Sequence, residues 1–230
     1  MKKTFIALLV VCVIGLLYIN YRSIQGDIDF QAEVKVREDA VKARLIEIRK
    51  AQEQYKFQHG GVYCNTLSEL IEFVKDGRIP IVYREGELSD EQREAGLTDV
   101  IAAQIVNGGD AAAIAANGLQ DFRFDTTWVS LIDSLYGPGF DAEQLKYIPY
   151  AEGDSFELST FYGPNRSETI IYVMECCAPD TAFLKNLGSA GQRLIDNRDK
   201  TARDFQKYPG LKIGVLDIDR WNNNAGNWEE

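Results

Sequence analysis

Histidine is almost missing. His59 is the only one in 230 residues, so any Ser-His-Asp or Cys-His arrangement would have to be built around that single side chain. It precedes Gly60 at the end of a helical pattern. There the negative end of the helix dipole favours a cationic imidazole, and a capping role accounts for it. Cysteine is scarce too, with only Cys12, Cys64, Cys176 and Cys177. No Cys-x-x-Cys occurs, which with one histidine excludes a zinc site of the usual spacing. Gly-x-Ser-x-Gly, P-loop and Gly-x-Gly-x-x-Gly patterns are absent. Carboxylates abound, but no pair stands out at catalytic spacing. A net charge of -10 and no basic cluster argue against nucleic acid, whose phosphates need a cationic surface. No polybasic run is present to dock on anionic lipid. The sequence therefore assigns no catalytic, cofactor-binding or metal residue and no cofactor, and it reads as non-enzymatic.

Long hydrophobic runs are limited to one. Met1-Lys2-Lys3 precedes an apolar stretch from Thr4 to Tyr21, with Phe5 to Ile19 its greasiest part. A secretory leader has a shorter apolar core and a small-x-small cleavage site, whereas a membrane-spanning helix needs about 17–25 residues. No Ala-x-Ala follows the run, and Tyr18 and Tyr21 sit where interfacial aromatics belong. Residues 1–22 read as an uncleaved signal anchor. Cys12 lacks the small residue expected before a lipidated cysteine and is read as a small apolar residue in that helix. Lys2 and Lys3 against Arg22 place the N-terminus in the cytoplasm. In a bacterium the chain would be single-pass in the inner membrane with residues 23–230 in the periplasm.

What remains is set in a chain with 45% hydrophobic and 26% charged residues, the balance of a folded domain. Ser23 to Asp27 predicts a short break, with Asp27 capping a second helix. From Phe30 to Gln58 the apolar positions Phe30, Val34, Val41, Leu45, Ile48 and Tyr55 form one helical face. The step Val34-Val41-Ile48-Tyr55 is seven residues and reads as a stripe packed on the protein's own sheet; the alternative it admits is a coiled-coil partner. Glu38 and Gln52 interrupt the second seam of such a coil. Gly60-Gly61 stops the helix. Thr66-Leu67-Ser68-Glu69 is a capping box that starts a short helix. Ile79 to Tyr83 is a strand that Pro80 confines to an edge or a strand start. Residues 87–119 read as a helical insertion with an alanine-rich piece, Ala111 to Ala116. Phe122 to Phe124 and Thr127 to Ile132 are β-like, though Ser130 to Leu135 could begin a turn of helix; Leu145 to Tyr150, Ser155 to Tyr162 and Thr169 to Glu175 are strand candidates, suggesting an antiparallel meander. Thr181 to Leu187 and Gly191 to Gln206 read as helices, and Leu211 to Leu216 as a last strand. The expected class is α+β: a transmembrane helix, then a long amphipathic helix on an antiparallel sheet, with additional helices.

Three local features carry weaker hypotheses. Outside the cytoplasm, Cys64 and either Cys176 or Cys177 could form a disulfide; free buried thiols are the alternative. Asp217-Ile218-Asp219-Arg220-Trp221-Asn222-Asn223-Asn224 alternates oxygen side chains as calcium loops do, but lacks the glycine of the full pattern. Asn165-Arg166-Ser167 matches a glycosylation acceptor.

Ala51-Gln52-Glu53-Gln54-Tyr55 followed by His59-Gly60-Gly61-Val62-Tyr63 resembles the point where the stem helix meets the head in type IV pilins and type II secretion pseudopilins. Leu67-Ser68-Glu69-Leu70 is similar to the short helix that follows there. The resemblance covers roughly residues 4–74 and implies a pilin-like shape. Pilins also carry a glycine before their processing site and a glutamate at the fifth mature position. Lys3-Thr4-Phe5-Ile6-Ala7-Leu8 has neither, so the likeness does not extend to processing or to polymerisation through that glutamate. The whole chain, ending Gly226-Asn227-Trp228-Glu229, also resembles membrane-anchored proteins of Bacteroidetes-type bacteria, which implies no activity.

The leading functional expectation is a structural or scaffold subunit of an envelope or secretion assembly. It would hold the membrane through its N-terminal helix and bind protein partners or itself. Two alternatives are a periplasmic ligand-binding or sensing domain and a membrane-tethered hydrolase.

Overall fold

A computed structural model describes residues 2–216 and 224–229. The first element, α1 (Lys2–Gln58), is one unbroken helix of 57 residues. The break expected at Ser23–Asp27 does not occur. A lone glycine costs a helix only about 1 kcal/mol relative to alanine. Side-chain bonds also brace this stretch, from Asn20 Nδ2 to the Leu16 carbonyl and from Gln25 Nε2 to Asp29 Oδ1, each 2.9 Å.

Among the described residues no helix is long and apolar enough to cross a membrane. This overturns the signal anchor at residues 1–22, and with it the inner-membrane placement and periplasmic body. α1 has the length, but its strongly apolar part, Phe5 to Ile19, falls short of the about 17–25 residues of a span. Asn20, Arg22, Gln25, Asp27 and Asp29 follow Ile19 closely.

The chain divides into two compact units, residues 1–71 with 141–230, and residues 72–140. In the first, Val34, Val41, Leu45, Ile48 and Ala51 are buried along one stripe of α1. That helix packs on β5 (Gly210–Gly214), α7 (Asp180–Leu184) and the 3₁₀ turn Ala142–Leu145. The seven-residue step from Val34 is thus used internally. The helix ends as its glycines require, with a backbone that only glycine adopts freely. Gly60 and Gly61 have φ of +66° and +96°. The Gly61 N–H donates to the Lys56 carbonyl at 2.8 Å.

A three-stranded antiparallel sheet, ordered β3-β4-β5, completes this unit. β3 (Glu157–Pro164) and β5 flank β4 (Ile170–Pro179). Val173, Met174, Cys176, Cys177 and Ala178 are all buried, so both faces of β4 are covered in its second half. β5 lies so close to β4 that a β-carbon on Gly214 would run into the Met174 carbonyl. α8 (Gly188–Asp204) lies between α7 and β5 in sequence. The strand expected at Leu145–Tyr150 is instead the end of the 3₁₀ turn and a single bridge, Tyr147 to Ser155. The Asp141 side chain accepts from the Glu143 N–H and starts that turn.

The second unit holds its own two-stranded sheet, which corrects the expectation of a single sheet under the long helix. β1 (Arg78–Glu85) pairs antiparallel with β2 (Arg123–Ser130), from Arg78 opposite Ser130 to Glu85 opposite Arg123. Their ladder uses the full length of both strands, and neither pairs with β3, β4 or β5. Between them run α3 (Asp90–Glu94), α4 (Asp99–Asn107) and α5 (Ala111–Ala116), capped by Ser89, Thr98 and Asp110. Leu88, Ala102, Leu119 and Phe122 form a small core. α6 (Leu131–Tyr136) follows β2, and α2 (Leu67–Asp76) precedes β1.

Candidate functional site

The residues singled out by sequence do not converge. His59 is exposed at the end of α1; its Nδ1 lies 2.8 Å from the Tyr55 carbonyl, and its ring stacks on Tyr55 at 3.8 Å. It sits where a C-terminal cap belongs. Cys64, Cys176 and Cys177 are free thiols, all buried. Burial raises all three: Cys64 to about 11, Cys177 to about 12 and Cys176 well above its ordinary value. They are protonated at neutral pH and poor nucleophiles. Asn165 folds into a turn, its Oδ1 accepting from the Ser167 and Thr169 N–H groups. The oxygen-rich run from Asp217 to Asn223 lies outside the described residues. Among the described residues, no group of three or more His, Cys, Asp or Glu side chains is arranged to hold a metal ion.

Two other places in the first unit have the makings of a site. One is the free part of α1. From Leu9 to Ile28 its described large apolar side chains are exposed, between 46% for Val13 and 67% for Tyr21. Contiguous apolar surface of this kind marks an interaction site in a folded protein. Within it, Val10, Ile14, Leu17, Tyr21, Ile24 and Ile28 succeed one another at spacings of four, three, four, three and four. That is the a/d pattern of a two-stranded seam.

The other is a cleft of about 320 Å³ between the end of α8 and the chain entering β5. Asn197, Arg198, Thr201 and Ala202 form one wall; Lys207 to Leu211 form the other. Asp180, the first residue of α7, is buried where they meet, and its N–H donates to the Pro209 carbonyl at 3.1 Å. Arg198 reaches Glu38 on α1 at 2.6 Å and Asp180 at a longer 3.4 Å. Glu38 also meets Lys42 at 3.6 Å. Asp180 borders a second cleft of about 240 Å³ on its other side. Burial holds its carboxyl above the ordinary range, although Arg198 pulls the other way. Burial also raises the hydroxyl of Tyr208, on the wall, further than that of Tyr55.

Neither place was assigned as a site from the sequence. The Glu38–Arg198 pair spans 160 residues, and no local spacing announces it. The seam is visible as a 3-4 alternation, but its residues from Val10 to Tyr21 lie in the run read as a membrane anchor. No family model, curated protein or solved structure matches this chain.

Proposed function

We propose that the protein is a non-enzymatic structural subunit that assembles through the free N-terminal part of α1, its first partner being a second copy of itself. The observation carrying this reading is the exposed Val10-Ile14-Leu17-Tyr21-Ile24-Ile28 seam on a helix anchored at its other end. A helix this apolar gains little by staying in water. Each large aliphatic side chain contributes about 1.5–3 kcal/mol on full burial.

The polar residues favour a parallel pair. In that register Asn20 of one copy flanks the seam opposite Gln25 of the other, and two amides meet with no like charge between them. An antiparallel pair would set the polar stretch from Asn20 to Asp29 against the apolar stretch from Leu9 to Ile19.

Photo-crosslinking tests the reading. Benzoylphenylalanine placed at Ile24 is expected to trap a covalent dimer, and the same probe at exposed Phe205 is not. Absence of a dimer from Ile24, or equal yield from both positions, would sink it.

A further inference from the structure

We infer that the cleft between α8 and β5 binds a small zwitterion of the α-amino-acid class with an apolar side chain, independently of assembly through α1. Its volume is about 320 Å³. That falls at the lower end of small-molecule sites and is enough for one such molecule.

The wall chemistry is two-signed. Arg198 and Lys207 bring cationic donors to the cleft, which suits a carboxylate. Lys207 forms no ion pair among the described residues. Asp180 brings a buried acceptor. Among the described residues its one cationic neighbour is 3.4 Å away and shared with Glu38, which holds that guanidinium at 2.6 Å. The buried carboxylate is therefore left short of positive charge. Burial raises its proton affinity, and Arg198 pulls the other way. An ammonium group supplies what it lacks. A plain anion would meet Asp180 unfavourably, and a plain cation would leave Lys207 without a counter-charge. A zwitterion satisfies both ends at once.

Ala202, Pro209 and Leu211 give the remaining wall an apolar character.

The probe is L-leucine, measured on the full chain by calorimetry and by the thermal unfolding midpoint. Two truncated analogues accompany it: 4-methylpentanoate, without the ammonium, and 3-methylbutylamine, without the carboxylate. Leucine is expected to bind and to raise the midpoint in proportion to ln(1 + [L]/Kd). Each analogue is expected to bind at least tenfold more weakly. Lys207→Ala, at an exposed position, is expected to weaken leucine about tenfold with the unliganded midpoint unchanged. Asp180→Asn is expected to abolish the preference for leucine over 4-methylpentanoate. No leucine binding at millimolar concentration would overturn the inference. So would equal affinity for 4-methylpentanoate, which marks a simple anion site, or an unchanged leucine affinity in Lys207→Ala.

Discussion

Gln52 shows how a single polar residue can decide the path of a chain. Its side chain is fully buried. Its Nε2 donates to the Cys64 carbonyl and its Oε1 accepts from the Cys64 N–H, both at 2.9 Å. In sequence it looks like a flaw in a coiled-coil seam; in the fold it ties α1 to the loop that follows Gly60-Gly61. Replacing it with leucine orphans both backbone groups, and a buried unsatisfied group costs about 1–3 kcal/mol. Gln52→Leu is expected to lower unfolding free energy by about that amount in urea melts, while a substitution at exposed Glu53 leaves it unchanged. The thiols make a second prediction at this scale. Iodoacetamide at pH 8 is expected to label Cys12 alone in the folded protein, and all four cysteines after denaturation; mass spectrometry counts the adducts. Their pH linkage has a definite sign. Folded values of about 11 for Cys64 and about 12 for Cys177 lie above the ordinary 9.0. Between these values the unfolded chain holds fewer protons than the native one, so stability falls as pH rises. The stability is fully present below about pH 9, and the loss levels off above about pH 12. Urea midpoints at pH 8 and pH 10 are expected to differ less in a Cys64→Ala, Cys177→Ala variant than in the original chain.

At the scale of elements, the two sheets differ in how they are supported. β4 is flanked by strands on both edges and covered on both faces in its second half. The β1–β2 ribbon has no third strand among the described residues, and an isolated two-stranded ribbon is marginal in water. Its companion core of Leu88, Ala102, Leu119 and Phe122 is small, and α5 buries none of its residues. Amides of residues 78–130 are therefore expected to exchange with deuterium faster than those of residues 173–178 and 45–52. Uniform protection across both sets would contradict this. The elements themselves were largely legible. Capping residues marked α2 and α3, an alanine-rich run marked α5, and turn residues separated β3 from β4. Sheet membership was not legible, because the period of a strand says which face is buried and nothing about which strand lies beside it. Leu145–Tyr150 is not a strand for a related reason: Leu145 closes a 3₁₀ turn and Ile148 follows it, both buried without a strand ladder. Of the cleft, nothing was legible, since Glu38, Asp180, Arg198 and Lys207 come from three helices and a loop.

At the scale of the molecule, α1 does two jobs along its length. Residues from Val34 to Ala51 bury one stripe in the chain's own first unit. Residues from Val10 to Ile28 carry a second stripe that the chain leaves exposed. The heptad visible from Val34 to Tyr55 admitted either the chain's own sheet or a partner, and its buried positions Val34, Val41 and Ile48 belong to the internal interface; the seam upstream is the unsatisfied one. Whether a second copy fills that seam decides the proposed role. Sedimentation equilibrium of the full chain at tens of micromolar tests it most directly. The expected mass is twice the 25.9 kDa of the single chain, with a return to the single-chain mass in a Leu17→Asp, Ile24→Asp variant whose unfolding midpoint is unchanged. A single-chain mass for the original protein, or a dimer that survives both aspartates, would contradict it.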